Sequence, residues 1–168
     1  MKNYKKHMGT AEHKPTIALF PGSFNPFHLG HLNIVRKVER IFGTENVVIC
    51  MGLNPEKIDN LDYVNSIESR CENLKKTTGL QVETYTTFLH NHINKWEEKG
   101  YNVVVVRGLR NGDDLDYERN QIRFIDDFKK GVNTTFVLCD PEFEHISSTA
   151  IRKLEQFGGS EAVKKYLP

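Results

Sequence analysis

Excess charge of one sign, cysteine and long apolar runs are all scarce in this chain, and each scarcity removes a class of protein. Lys and Arg number 23 against 22 Asp and Glu in 168 residues, a net charge of +1. Bulk charge of that size favours neither nucleic acid nor an anionic membrane surface. Cysteine occurs three times, at Cys50, Cys71 and Cys139, far apart and in odd number. With no CxxC pair, neither a zinc ribbon nor a disulfide framework is supported, and a reducing cytoplasm fits best. Cys50 and Cys139 stand at the ends of apolar runs, where a thiol is most simply a small core residue. No apolar run has the length needed to cross a bilayer. GxGxxG, GxxxxGK[ST] and GxSxG are all missing. Their absence removes the fingerprints of dinucleotide oxidoreductases, P-loop enzymes and α/β-hydrolases.

What is present is an alternation of strands and helices. Ile17–Phe20, Val47–Met51, Val103–Val106 and Thr135–Cys139 are β-branched runs without clean alternation, as expected of parallel strands covered on both faces. A weaker strand lies at Leu80–Tyr85. Leu32, Val35, Val38 and Phe42 repeat at helical spacing until Gly43. Further helices are expected over Ser66–Lys76, Thr87–Lys99 and Asp114–Lys129, from Ser147 or Ser148 onward, and near Glu161–Tyr166. The pattern predicts an α/β fold: a doubly wound, Rossmann-like parallel sheet of about five strands in a single domain, residues 15–168. Residues 1–14 are polar, contain no apolar core of signal-peptide length, and read as a flexible tail.

Ligands of such sheets bind beyond the carboxyl ends of the strands. Three polar segments stand there: Pro21–His31, Arg107–Glu118 and Phe143–Thr149. The first, PGSFNPFHLGH, runs from a strand through small turn residues into a helix. Small residues let a backbone approach a phosphate, and a helix start offers unpaired N–H groups and the positive end of its dipole. His28 and His31 could be zinc ligands, packing residues or phosphate donors. No third ligand stands at zinc spacing, so no metal site is expected and the phosphate role is favoured. Ser23 adds a hydroxyl.

Arg107 and Arg110 flank a glycine after four valines, and their guanidinium forks suit phosphate oxygens. The alternative is ion pairing with Asp113, Asp114 and Asp116. The acidic cluster lacks the glycine and the bidentate Glu of a calcium loop. Asp113 and Asp114 read as helix-start residues, and Glu118, one turn on, could face a ribose or a base. Ser147, Ser148 and Thr149 are either a helix cap or a phosphate cradle, and alone the cap is preferred. His90-Asn91-His92 sits on a helix, where residues two apart diverge, so a nuclease triplet is disfavoured. Trp96 is expected in core or interface.

Together these blocks resemble the HxGH nucleotidyltransferase superfamily, and within it the phosphopantetheine adenylyltransferases, from about Ile17 to Tyr166. PGSFNPFHLGH is similar to the strand-one loop of that family, Asn54-Pro55-Glu56-Lys57 to its NPxK segment, and Ile67-Glu68-Ser69-Arg70 to its LEER helix start. RGLRNGDDLDYE matches the RGLR…DxxYE block without a gap, and EFEHISSTAIR resembles the ISSS segment. The resemblance implies catalytic roles for His31, Lys57, Ser23 and Arg110. It implies an ATP site of Ser23, Phe24, His28, His31, Gly108, Leu109, Arg110, Glu118, Phe143, Glu144, His145, Ile146, Ser147, Ser148 and Thr149. Acceptor contacts would come from Ser23, Lys57, Leu89 and Arg107. This chain departs from the family with Asn25 where Asp is frequent, His28 where another residue is usual, and Ile58 and Asp59 after Lys57. The stretch Phe88–Gly100 is longer. The full HxGH and the ISSTxIR form look more like nicotinate or nicotinamide mononucleotide adenylyltransferases.

The expected reaction is adenylyl transfer. A phosphate of 4′-phosphopantetheine attacks the α-phosphorus of ATP, pyrophosphate leaves, and Mg²⁺ arrives with ATP, with no dedicated protein metal site. A mononucleotide of the NAD series is the nearer alternative acceptor, and a non-catalytic module that binds ATP or coenzyme A the farther one. Implied partners are small molecules and further copies of the chain, up to a hexamer, with neither nucleic acid nor membrane.

Overall fold

The computed structural model describes residues 13–57 and 60–168. Most of the expected tail, and Ile58 and Asp59, lie outside the described residues. Five strands are formed: β1 (Thr16–Gly22), β2 (Val47–Gly52), β3 (Gln81–Tyr85), β4 (Asn102–Leu109) and β5 (Asn133–Leu138). All four pairings are parallel, in the order β3-β2-β1-β4-β5. The chain winds outward from β1 in one direction, then crosses back to β4 and continues in the other. β1 and β4 are therefore neighbours whose connections leave in opposite directions, and the crevice beyond their carboxyl ends is the switch point where such sheets bind ligands.

Four α-helices join the strands, α1 (Leu29–Phe42), α2 (Leu61–Thr78), α3 (Leu89–Glu98) and α4 (Gly112–Phe128), and α5 (Ser148–Gly158) follows β5, with a 3₁₀ segment at Ser160–Tyr166. Their ends follow local chemistry. Asn60, Asn111 and Ser147 each accept a backbone N–H from the first turn of α2, α4 and α5. Gly79 closes α2 in the left-handed region at φ 75°. The α2 start lies five residues before the expected Ser66, because the Asn60 cap nucleates it there.

Side chains alternate across the strands and build two core layers. Ala18, Phe20, Ile49, Met51 and Val106 pack under α1 and α2. Ile17, Leu19, Val48, Cys50, Val103 and Val105 pack under α3. One expectation fails. The run Thr135–Cys139 is not covered on both faces: Phe136 and Leu138 are 39% and 59% exposed, because β5 is an edge strand. Two strands also outrun their expected ends. Pro21 and Gly22 pair with β2, and Arg107–Leu109 with β5, so these residues belong to the ladder and not to a turn.

Candidate active site

The loop from β1 to α1 carries the densest chemistry, and the structure shows what holds it. Phe24 sits at φ 48°, a region that residues with a Cβ rarely occupy. Three side chains from elsewhere clamp the loop around it. Arg70 of α2 donates to the Ser23 carbonyl at 3.3 Å, Ser148 donates to the Pro26 carbonyl at 2.9 Å, and Arg152 donates to the Asn25 carbonyl. The serine–arginine segments near residues 70 and 150 are thus tied to the first loop by backbone contacts.

His28 caps α1, its Nδ1 accepting the His31 N–H at 3.3 Å. An acceptor Nδ1 leaves the proton of the neutral ring on Nε2. The His28 and His31 rings stack at 3.7 Å between centroids. Gly30 permits this: a Cβ there would lie 3.1 Å from two atoms of the His28 ring. Burial, then the Arg110 charge, lowers the His28 pKa from 6.5 to about 4. Burial, then His28 and Arg110, holds His31 well below its ordinary value. Both rings are therefore neutral near pH 7. The buried Nδ1 of His31 has no hydrogen-bond partner, so a polar atom stands ready for a ligand.

β4 delivers two arginines to the same crevice. Arg110 is gripped by Asp114, which accepts from its backbone N–H, Nε and Nη2 at 2.9, 2.8 and 2.7 Å. That bonding lowers the Asp114 pKa and raises that of Arg110. Asp114 therefore does not cap α4; Asn111 does, and Asp114 orients the arginine. Arg107 lies 3.3 Å from Glu118, close enough for attraction. The contact is misaligned, and neither Arg107 Nε nor Glu118 Oε2 makes a hydrogen bond although both are buried. Burial raises the Glu118 pKa, and Arg107 opposes it.

These groups line one cavity of about 430 Å³, together with Ser23, Phe24, Gly108, Leu109, Ile146, Ser147 and Ser148. That size suits a small-molecule ligand. The structure also places residues there that the sequence did not single out as ligand-facing: Asp114, Tyr117, Gln121 and Cys139. Gln121 was findable, since it stands three residues after Glu118 on the same face of α4. The Ser147 Oγ accepts the Ala150 N–H at 3.1 Å, and Thr149 accepts from Arg152 at 3.2 Å.

Six expected residues do not line this cavity. Lys57 ends an exposed 3₁₀ turn, Pro55–Lys57, beyond β2 and lines neither cavity. Phe143 packs into the core, His145 meets Tyr166 edge to face, and Glu144 and Thr149 stay outside the lining. Leu89 lines a second cavity, of about 510 Å³, with Tyr85, Thr87, Phe88, His90, Phe124, Ile125 and Phe128. Arg107 and Gln121 line both cavities. The arrangement is a polar, cation-bearing chamber joined at Arg107 to an apolar one. Among the described residues no group of three His, Cys, Asp or Glu side chains is placed to hold a metal, and no helix is long and apolar enough to cross a membrane.

The family described as cytidylyltransferase-like matches residues 19–154. The chain is 26% identical over 147 residues to a phosphopantetheine adenylyltransferase of Clostridium novyi (strain NT), covering 85% of each. It is 25% identical over 155 residues to that of Clostridium botulinum (strain Langeland), covering 90% of this chain and 87% of the relative. A solved structure, a candidate nicotinate-nucleotide adenylyltransferase of Vibrio parahaemolyticus, superposes with a TM-score of 0.54 at 15% identity. It covers 89% of this chain and 92% of its own, a likeness of fold.

Proposed function

The chain belongs to the cytidylyltransferase-like family of nucleotidyltransferases, and from that premise we propose that it transfers the adenylyl group of ATP to 4′-phosphopantetheine, giving dephospho-coenzyme A and pyrophosphate. The observation that carries this reading is the pair of cavities joined at Arg107. One offers imidazole, guanidinium and a helix start to a triphosphate. The other offers an extended apolar wall to the chain of an acceptor whose phosphate ends at the shared arginine.

In that arrangement the acceptor phosphate attacks the α-phosphorus in line, and no covalent intermediate is needed. Catalysis is positioning and charge stabilisation. His31, neutral and buried, donates to an α-phosphate oxygen, and the arriving negative charge raises its pKa. Ser23 orients the attacking phosphate. Arg110, already oriented by Asp114, holds the leaving pyrophosphate with the start of α5. Lys57 reaches the transferring phosphate only if its exposed turn closes over the crevice. Mg²⁺ enters as part of the MgATP substrate, held by phosphate and water. A homo-oligomer belongs to the same proposal, with Phe136 and Leu138 on the open β5 edge as surface for a second copy to cover.

A mononucleotide acceptor of the NAD series is favoured by one observation. The Phe88, His90 and Phe128 rings stack on one another at 5.1–5.6 Å beside the second cavity, flat surfaces suited to a pyridine. Pyrophosphate release with MgATP decides between the acceptors. Turnover with 4′-phosphopantetheine alone is the expected result. Turnover only with nicotinamide or nicotinate mononucleotide moves the chain to the second reading, and silence with all three leaves a non-catalytic nucleotide binder.

A further inference from the structure

Tyr85, the last residue of β3, lines the second cavity and belongs to none of the sequence motifs. It is held from three sides. His92 of α3 stacks on its ring at 5.5 Å and 30°. That imidazole is itself buried, with Nε2 3.0 Å from Glu83 Oε2. His92 Nε2 makes no hydrogen bond there, whereas Glu83 accepts from Trp96 Nε1 at 3.3 Å and from Gln81 Nε2 at 2.8 Å. The carboxylate thus ties α3 to β3 through Trp96, and the His92 ring lies against the phenol. On the second side lies Gly52, the register partner of Tyr85 in β2. A Cβ at residue 52 would stand 3.0 Å from the Tyr85 hydroxyl and 3.1 Å from Cζ, so the phenol lies across bare backbone. On the third side, the Leu53 N–H donates to the Tyr85 carbonyl at 2.9 Å and ties it to the segment that leads to Lys57.

A phenol fixed so fully has one group left over. Its hydroxyl makes no hydrogen bond among the described residues, and the Arg107 charge is near enough to oppose the effect of burial on it. Arg107 lines both cavities. The wall therefore presents a rigid neutral donor beside a cation, at the junction of the two chambers.

We propose that Tyr85 is an acceptor-binding residue, its hydroxyl donating a hydrogen bond to the acceptor beside the phosphate that Arg107 takes, with His92 and Gly52 as its positioning residues. This rests on the acceptor reading given above. Tyr85→Phe removes one oxygen and leaves the ring in place. Kinetics with MgATP and 4′-phosphopantetheine, and calorimetric titration with 4′-phosphopantetheine, read the effect. Tyr85→Phe is expected to raise the acceptor KM and Kd on the order of tenfold while the ATP KM holds within about twofold. Gly52→Ala, whose methyl displaces the phenol, moves the acceptor KM the same way and again spares ATP. An acceptor Kd and KM unchanged in Tyr85→Phe, with wild-type protein turning over, overturn this inference and leave the function standing. Wild-type protein that binds ATP but neither binds nor converts 4′-phosphopantetheine overturns the function and this inference together.

Discussion

The two faces of the sheet are finished differently. Beneath α1 and α2 lies a closed layer: Val35 and Val38 of α1 and Leu74 of α2 are each at most 1% exposed and meet Ala18, Ile49 and Val106 from the strands. On the other face α3 is anchored by Leu89, Ile93 and Trp96, but α4, 17 residues long, has no buried residue at all. Its Phe124 and Phe128 are 63% and 61% exposed and line the second cavity. The first face supplies stability. The second leaves Phe124 and Phe128 exposed along the second cavity.

That contrast breaks most sharply at His31, whose helix packs while its ring faces the crevice. His31→Ala should lower kcat on the order of a thousandfold with a small change in ATP affinity, since its partner oxygen gains charge in the transition state. A kcat near wild type would make the ring a packing element only. Next in size, Asp114→Asn should raise the ATP KM by about tenfold, because it releases the guanidinium without removing it. Asp114→Glu should recover part of the loss.

The faces themselves are compared by truncation. Leu74→Ala should cost about 3 kcal/mol of stability in denaturant unfolding, whereas Phe128→Ala should cost under about 1 kcal/mol and act on acceptor KM instead. Equal stability losses would show that α4 is packed as α2 is.

The effect of pH falls on stability. His28 and His31 titrate below 6.5 in the folded protein, so between pH 6.5 and about 4 the unfolded chain binds more protons. Stability rises with pH across that window and is lost on acidification, a fall in Tm on the order of 10 °C. His28→Asn keeps a capping side chain and should flatten part of that slope. A variant as acid-sensitive as wild type would place the loss elsewhere.

The fold was legible because buried parallel strands demand β-branched runs, and each of the five runs became a strand. Strand ends were not, since Gly22 and Arg107 are strand residues only through partners in β2 and β5. The exposure of Phe136 was hidden for a related reason: an edge position is a property of strand order. In the site, phosphate chemistry constrains residue type and spacing, so His28, His31, Arg107 and Arg110 stood out and share one cavity. Sequence weighed ion pairs with Asp113, Asp114 and Asp116 against phosphate contacts for the arginines; the structure pairs Arg110 with Asp114, and sets Arg107 beside Glu118 instead. Tyr85, Phe124 and Phe128 were illegible because an apolar cavity wall and a core use the same side chains.

The proposed transfer requires both reactants to be held at once in the two joined cavities. Calorimetric titration of 4′-phosphopantetheine into protein saturated with α,β-methylene-ATP and Mg²⁺ tests this most directly. One acceptor per chain, bound within a few-fold of its affinity for the nucleotide-free protein, is the predicted result. Loss of acceptor binding as the nucleotide saturates would mean that both compete for one site, and would contradict it.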